Sequence, residues 1–312
     1  MLYSYKVNAL VLPIRAGLAG YRQIGSVPSP GKVHPQPTLP CALQRLSARI
    51  ETRLIVISHD CRAEGPPNAV TPPTLSAVPE LLSTPDFEQA VHALTPRVAV
   101  FDCDGTLWSG DAGSAFMLWT VETGLLSRSA TDWLDGRYRK YKRGEISELA
   151  ICGEMVQVYH GLREDEMRRA ARDFFSARIE PNIFPEMQRL IADLQRAEVE
   201  IWAVSSTNDW VIEEGVKRFA IPANRILAAR VEVVGGIVTE HLVDVPTDQG
   251  KVDSLARVGI TRPDAVFGNS VHDAAMLAIA RRAFAVNPTP ALAERSFVEG
   301  WPVYFPASVR PI

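Results

Sequence analysis

The sequence predicts an α/β fold, a doubly wound parallel sheet with an inserted helical cap. Beyond residue 199, short apolar runs of strand length alternate with helical patterns. This alternation is typical of a parallel sheet that is covered by helices on both faces. A helical block without strand signals, over about residues 111–195, separates the first two strands. Because this block is too long for a single crossover, it is predicted to be an insertion.

The first predicted elements lie directly before this block. Thr84-Pro85-Asp86 opens a helix over Thr84–Leu94, since proline is tolerated in a first helical turn. The apolar run Val98–Asp102 predicts a buried strand. Inside the block, helices are predicted near residues 112–125, 131–143, 145–160, 163–178 and 183–196.

The elements after the block alternate between strands and helices. Gly235-Gly236 supplies a tight hairpin turn between two apolar runs. The predicted order is a strand at Val199–Val204, a helix at Asp209–Phe219, a hairpin of Val231–Val234 and Ile237–His241, a helix at Gln249–Val258, a strand at Ala265–Gly268, a helix at Val271–Ala280, a strand at Phe284–Val286 and a helix from Pro290.

The proline distribution predicts where the ordered part begins. Eleven of the 23 prolines lie in the first 80 residues, and such spacing breaks helices and removes ladder donors. Residues 1–80 are therefore predicted to be a poorly ordered arm, within which Leu43–His59 could form a short helix and strand. The predicted division is then an α/β core over residues 81–110 and 183–312, with the cap over residues 111–182.

The bulk composition excludes several classes of function. A formal net charge of -3 gives no electrostatic reason to expect a nucleic-acid partner. No apolar run approaches the roughly 20 residues of a membrane helix. The four cysteines form no CxxC pair, so neither a zinc site nor a disulfide framework is indicated. We expect a cytoplasmic protein, and the sequence does not indicate its oligomeric state.

Polar residues follow three of the predicted strands. Ligands of open parallel sheets bind beyond the carboxyl ends of the strands, so these residues should share one crevice. The three groups are Asp102-Cys103-Asp104-Gly105-Thr106, Ser205-Ser206-Thr207-Asn208 and Gly268-Asn269-Ser270 with Asp273, and Lys251 opens the helix before the third strand.

Two carboxylates in this crevice fit acid–base and nucleophilic chemistry. Asp102 and Asp104 are two apart in extended chain, so both can face the same side. The ammonium of Lys251 and a divalent metal would keep a carboxylate nucleophile ionised, and the second carboxyl group could carry protons. Ser205, or its neighbour Ser206, would offer a hydroxyl and backbone N–H groups to a phosphate at the start of a helix.

A magnesium site is also predicted here. Mg²⁺ takes oxygen ligands, and one or two side chains with phosphate and water suffice. Asp102 and Asn269 can each donate an oxygen, and Asp273 can reach the ion directly or through water. Such an ion would neutralise charge that opposes attack on a phosphate.

The motifs resemble those of the haloacid dehalogenase superfamily, which has a Rossmann-like core. FDCDGTL at 101–107, VSS at 204–206, GK at 250–251 and GNSVHD at 268–273 follow the family's order. The helical block between the first two motifs looks like the cap of the phosphoserine phosphatase-like branch. The resemblance therefore implies a Mg²⁺-dependent hydrolase that acts on a small phosphate monoester through an aspartyl-phosphate, with phosphoserine-like esters among the candidate substrates.

Individual roles follow from this resemblance. It implies that Asp102 is the nucleophile and a metal ligand, and that Asp104 is the general acid and base with its carbonyl on the metal. Ser205 would bind phosphate, and Lys251 would steady the phosphoryl charge. Two further positions would complete the metal site, namely Asn269 and Asp273.

Two positions bear on activity and substrate. The family usually has Asp where this chain has Asn269, which removes one negative charge from the expected metal site. Asp111, nine positions after Asp102, matches an acidic position that helps bind the substrate amine in phosphoserine phosphatases. A cationic or hydroxyl-bearing substrate is therefore expected.

Other interpretations stay open from the sequence alone. Asp102 and Asp104 could be turn residues, Ser205 or Ser206 a helix cap, and Lys251 a solvated lysine. Dehalogenation would not need Asp104, and a glycosidase would give Lys251 no role. The non-enzyme alternative is a phosphate-ligand binding or regulatory protein of the same fold, in which Asn269 has weakened the catalytic activity.

Overall fold

The computed structural model describes residues 80–308. The predicted arm and the possible helix and strand at Leu43–His59 lie outside the described residues, except that Glu80 is included. In the described part the strands are β1 (Leu81–Leu82), β2 (Val98–Phe101), β3 (Glu200–Asn208), β4 (Ile226–Val234), β5 (Ile237–Asp244), β6 (Ala265–Gly268), β7 (Arg282–Val286) and β8 (Val303–Tyr304).

Helices fill most of the remaining described chain. The α-helices are α1 (Thr84–Ala93), α2 (Ala112–Glu122), α3 (Arg128–Lys142), α4 (Glu148–Gln157), α5 (Glu164–Phe174), α6 (Pro185–Arg196), α7 (Asp209–Val216), α8 (Gln249–Arg257), α9 (Ala274–Ala278) and α10 (Pro290–Glu299). Single turns of other helix types lie at Phe175–Ile179, Glu180–Asn182, Lys217–Phe219, Ala223–Arg225 and Val271–Asp273.

The strands form one mixed sheet in the order β1-β8-β7-β6-β2-β3-β4-β5. Every neighbouring pair is parallel except β4 and β5, which form the predicted antiparallel hairpin. β2 lies between β3 and β6, so the ends of these three strands are adjacent. The predicted α/β class is confirmed.

Alternate residues of the central strands pack against different helices. Ala99 and Phe101 of β2 belong to a buried cluster that includes residues of α1, α2, α5, α6 and α7. Val100 belongs to another cluster, which includes residues of α8, α9 and α10. Because successive side chains of a strand point to opposite faces, both faces of the sheet are covered. The sheet is therefore doubly wound, as predicted.

Some strand boundaries differ from the prediction. β4 begins at Ile226 instead of Val231, because Ile226–Ala229 pairs with β3 in parallel before the hairpin starts. β1 and β8 were not predicted; each has two residues and is held by pairing with a strand distant in sequence. A residue pattern of this length carries no periodicity that would reveal it.

Helices α2–α5 lie between β2 and β3 in the chain and are called here the helical insert. The starts of α2, α3 and α4 are fixed locally, because Asp111, Ser127 and Ser147 each accept a hydrogen bond from a first-turn backbone N–H. The predicted helices agree with the observed ones to within a few residues. The assignment of residues 111–182 to a separate cap domain stays a prediction.

In residues 80–308, none of the helices combines the length and the apolar character that crossing a bilayer requires.

Phe87 of α1 anchors this helix to the sheet. Its ring stacks on Tyr304 at 4.0 Å between centroids and makes edge contacts with Phe267 and Phe284. We expect Phe87→Ala to lower the free energy of unfolding by about 3–5 kcal/mol, because it leaves a cavity among buried rings. Urea denaturation followed by circular dichroism measures the change. Leu81→Ala is the control, since Leu81 is 70% exposed; an equal loss in both variants would contradict the packing role of Phe87.

Candidate active site

The ends of β2, β3 and β6 bring the predicted site residues together. Asp102 directly follows β2, and its backbone N–H donates to the carbonyl of Phe267 in β6 at 2.9 Å. Asn269 directly follows β6. Ser205 lies inside β3 and not at a helix start, which corrects the prediction; α7 is capped instead by Asn208. The pairing of β3 with β4 is irregular between Ser205 and Asn208, so the strand continues past the predicted end.

The loop after β2 is closed by hydrogen bonds around Asp102. Gly105 has φ +77°, a left-handed conformation that favours glycine and turns the chain after Asp104. The hydroxyl of Thr106 donates to Asp102 Oδ2 at 2.9 Å. Tight backbone hydrogen bonds close the loop, including one from the Gly105 N–H to the Trp108 carbonyl at 2.8 Å. The orientation of Asp102 is therefore fixed by the loop itself.

Lys251 is buried at the centre of the site, with 2% of its surface exposed. Its Nζ donates to Asp102 Oδ1 at 2.7 Å, to Asp273 Oδ1 at 2.5 Å and to the Val204 carbonyl at 3.1 Å. Burial alone would lower the pKa of Lys251, but the two carboxylates outweigh it and raise the pKa above its ordinary value. Lys251 is therefore a fixed cation beside Asp102.

Asp102 carries a perturbed carboxyl group. Burial raises its pKa to about 7; the carboxylate of Asp273 adds to the rise, and Lys251 opposes it. A second cation near Asp102 would stabilise its ionised form further. The site thus pairs a desolvated carboxylate with one fixed positive charge, which is an arrangement suited to a nucleophile.

Asp104 is held by three donors. Its Oδ1 accepts from the Trp108 indole at 2.7 Å and from the Ala112 backbone N–H at 2.9 Å, and its Oδ2 accepts from the Thr207 hydroxyl at 2.7 Å. Burial raises the pKa of Asp104 to about 6, and the charge of Asp111 contributes, while the three hydrogen bonds oppose the rise. A carboxyl group with a pKa near neutrality can both give and take a proton.

The contacts that Thr207 and Trp108 make with Asp104 were not predicted from the sequence. Thr207 stands in the polar run after Val204, where the pairing of β3 with β4 is irregular, and its hydroxyl donates to Asp104. The presence of a hydroxyl residue in this polar run is the sequence feature that could have indicated a contact with a site carboxylate. Trp108, four residues after Asp104, could have been suspected because its indole can donate to a nearby carboxylate.

Both carboxylate oxygens of Asp273 accept hydrogen bonds from the protein. One oxygen accepts from Lys251, and the other accepts from the backbone N–H groups of Asn269 and Ser270 at 2.9 Å each. It is 1% exposed and does not border the cavity described next. Its position indicates that it fixes Lys251 and the loop after β6.

A cavity of about 520 Å³ opens over these strand ends. A volume of this size suits a small molecule. The predicted site residues that border it are Asp102, Asp104, Asp111, Ser205, Ser206, Lys251 and Asn269. Residues of α3 and α4 also border the cavity, so the helical insert contributes directly to it.

The donor set fits a hard cation such as Mg²⁺. Asp102, Asp104 and Asn269 border the same cavity and offer carboxylate, carbonyl and amide oxygens. Among residues 80–308 there is no cluster of three or more His, Cys, Asp and Glu side chains placed to hold a metal. Protein oxygens here would therefore form only part of a ligand shell, as is usual for Mg²⁺, which retains several waters.

Comparison with known families gives a match over the same region. The profile of a family described as haloacid dehalogenase-like hydrolase matches residues 99–278. That range contains every predicted site residue. It spans β2 to α9 and includes the helical insert.

Individual relatives extend this finding. The chain is 25% identical over 218 residues to a histidinol-phosphatase of Neisseria meningitidis serogroup C (strain 8013), covering 66% of this chain and 97% of the relative. A solved structure of a protein of unknown function from Bordetella pertussis Tohama I has a TM-score of 0.58 at 24% identity, covering 67% and 98% of the two chains. An unliganded probable phosphoserine phosphatase from Vibrio cholerae has a TM-score of 0.50 at 14% identity, covering 65% and 59%. The two structures show a shared fold.

The Asn269 side chain packs closely against Gly105. A Cβ added at Gly105 would lie 1.8 Å from Asn269 Nδ2, whereas one added at Gly110 would meet nothing within 4 Å. Gly105 has φ +77° and Gly110 has φ +99°, so both alanine variants carry backbone strain, and the strain at Gly110 is no smaller. We expect Gly105→Ala to lower the free energy of unfolding by about 1–3 kcal/mol more than Gly110→Ala does. Chemical denaturation of the two variants measures the difference, and equal losses would mean that Asn269 moves aside freely.

Proposed function

The chain belongs to the haloacid dehalogenase-like hydrolase family and is a phosphoric monoester hydrolase, and we propose that it cleaves a small phosphorylated metabolite through a phosphoryl group carried on Asp102. Mg²⁺ is the proposed cofactor. The cytoplasm is the proposed location.

One observation carries this proposal above the others. The Asp102 carboxylate borders the cavity while the buried ammonium of Lys251 and the hydroxyl of Thr106 hold its two oxygens. A carboxylate fixed in this way needs no reorientation before it attacks. Asp104, two residues further along, borders the same cavity and is held by its own donors.

The proposed reaction has two steps. In the first, a carboxylate oxygen of Asp102 bonds to phosphorus, the bond from phosphorus to the ester oxygen breaks, and Asp104 gives its proton to the leaving alkoxide. In the second, water bonds to phosphorus while Asp104 takes its proton. The bond from phosphorus to the Asp102 oxygen then breaks, which releases inorganic phosphate and restores both carboxyl groups.

Groups for the phosphate oxygens line the end of β3. Ser205 and Ser206 border the cavity and are the proposed phosphate-binding residues, with Lys251 offsetting phosphoryl charge. The Ser205 hydroxyl already accepts from the Thr207 backbone N–H at 3.1 Å, which leaves its proton free to donate. These donors would stabilise charge that develops on the transferring group.

The proposed magnesium ligands are Asp102, the Asp104 carbonyl and Asn269, with Asp273 acting on this group through Lys251 and the loop after β6. When bound, the ion would draw charge from the phosphoryl oxygens. Residues 111–182 are proposed to act as a cap that closes over the substrate and excludes bulk water. Asp111, at the start of α2, borders the cavity and is the proposed contact for a cationic or hydroxyl group, as in a phosphoserine-like substrate.

The alternative is a phosphate-ligand binding or regulatory protein with weakened catalysis. Asn269 is the observation that favours it, because an amide stands where the family usually has a carboxylate. Asp102, Asp104 and Lys251 all border the cavity, which favours a working enzyme.

Replacing the nucleophile tests the mechanism. We expect Asp102→Asn to reduce Mg²⁺-dependent phosphate release from p-nitrophenyl phosphate by at least about 10³-fold, because an amide cannot take the phosphoryl group. Asp132→Asn, on the exposed side of α3, is the matched control and should keep wild-type activity. Circular dichroism confirms folding of both. Activity of the Asp102→Asn variant close to the wild-type level would refute the assigned nucleophile.

Restoring a carboxylate at position 269 separates the two functions. We expect Asn269→Asp to lower the Mg²⁺ concentration needed for half-maximal activity by about three- to tenfold, because the added charge attracts the ion. Turnover at saturating Mg²⁺ should change by less than about threefold. Mg²⁺ titrations of turnover and of thermal unfolding measure both quantities, with the exposed Asn182→Asp as control. A rise in saturated turnover of about 30-fold or more would favour the weakened binding protein.

A further inference from the structure

Trp108 is a fully buried aromatic residue whose indole N–H contacts a carboxyl group of the site. None of its surface is exposed, and its Nε1 donates to Asp104 Oδ1 at 2.7 Å. A buried indole needs an acceptor, and a backbone carbonyl of the core would satisfy it equally well. Its acceptor is instead a carboxyl group that borders the cavity, which points to a role beyond packing.

The packing around Trp108 leaves its indole little freedom to move. The ring makes an edge contact with Phe175, at 5.3 Å between centroids. A Cβ added at Gly215 of α7 would lie 2.7 Å from the same ring, so the helix accommodates the indole because residue 215 is glycine. The Trp108 carbonyl is also held, since it accepts from the Gly105 N–H at 2.8 Å. The direction of the indole N–H is therefore fixed before a substrate binds.

The two oxygens of Asp104 have partners of different kinds. Oδ1 accepts from two N–H groups, the Trp108 indole and the Ala112 backbone. An N–H group of this kind only donates, so a proton on Oδ1 would face two other hydrogens. The partner of Oδ2 is the Thr207 hydroxyl at 2.7 Å, and a hydroxyl can donate or accept. The proton of a neutral Asp104 is therefore carried by Oδ2.

The partners of the two oxygens also differ in their relation to the cavity. Trp108 and Ala112, which donate to Oδ1, do not border it, whereas Thr207, the partner of Oδ2, does. The oxygen that carries the proton thus has its partner in the cavity wall. A proton on Oδ2 is therefore on the side from which a substrate oxygen in the cavity can take it.

We propose that Trp108 is a positioning residue, whose indole N–H keeps Asp104 Oδ1 unprotonated and so directs the transferable proton to Oδ2. The inference rests on the proposed phosphatase function and deepens it. In the first step, the bond from Oδ2 to its proton breaks and a bond from this proton to the ester oxygen forms, while the bond from the ester oxygen to phosphorus breaks. The negative charge left on Asp104 is then stabilised by the indole N–H, which is already in place.

Two aryl esters of similar shape test the proposal. p-Nitrophenolate is a weak base that leaves without a proton, whereas the departure of phenolate, a stronger base, is assisted by a general acid. In Trp108→Phe, we expect kcat/KM for phenyl phosphate to fall about 5- to 30-fold, and that for p-nitrophenyl phosphate to fall less than about threefold. Phosphate release in the presence of Mg²⁺ measures both values. The ratio kcat/KM reports the first step, because the alcohol has left before water attacks.

Trp210→Phe is the matched control. Trp210 of α7 is also a buried tryptophan with an edge contact, to Tyr159, and it does not border the cavity. Any loss of packing in this variant should lower kcat/KM for both esters by the same factor. A second variant replaces Trp108 by 3-benzothienylalanine, which keeps the two fused rings and has sulfur in place of the N–H. It should show the same selective loss as Trp108→Phe, and it tests the hydrogen bond even where phenylalanine prevents folding.

The outcomes separate this inference from the proposed function. Wild-type values in the benzothienylalanine variant, or an equal fall for both esters, would overturn the role of Trp108 and leave the phosphatase intact. A selective loss for phenyl phosphate in Trp210→Phe would also overturn it, because packing alone would then produce the effect. Absence of hydrolysis of both esters by the wild type would overturn the proposed function and this inference with it.

Discussion

The site depends on one buried cation. Lys251 is taken out of water by the fold, and such a charge is tolerated only where it is paired and hydrogen-bonded. Its three acceptors come from the end of β2, from β3 and from the segment after β6. Removing any one acceptor would leave the ammonium undersatisfied. The lysine therefore fixes the mutual position of the three adjacent strand ends, and with them the cavity floor.

Asp273 extends this constraint into the backbone. The oxygen that does not face Lys251 accepts the N–H groups of Asn269 and Ser270. The same carboxylate thus balances the charge of Lys251 and fixes the loop that carries a proposed metal ligand. Asp104 has comparable support from Thr207 and Trp108, which is independent of Lys251. Two separate hydrogen-bond networks therefore hold the two carboxyl groups of the proposed reaction.

Much of this arrangement could be predicted from the sequence because it depends on local pattern. The apolar run before Asp102 and the helical periodicities are local, and the topology of a parallel sheet brings strand ends together. β1, β8 and the early start of β4 could not be predicted, because pairing with distant strands creates them. The same holds for the placement of Ser205 inside β3. Thr207 contacts Asp104 from a part of β3 whose pairing is irregular, and such an irregularity cannot be located from the residue pattern.

The charge of the cavity links the core to the helical insert. Asp102, Asp104, Asp111 and Glu148 border it, and its lysines are the buried Lys251 and the exposed Lys142. A phosphate ester is itself an anion, so this excess of negative charge would oppose its entry. Positive charge must then arrive with the ligands. A divalent ion beside Asp102 would supply positive charge at the phosphate end.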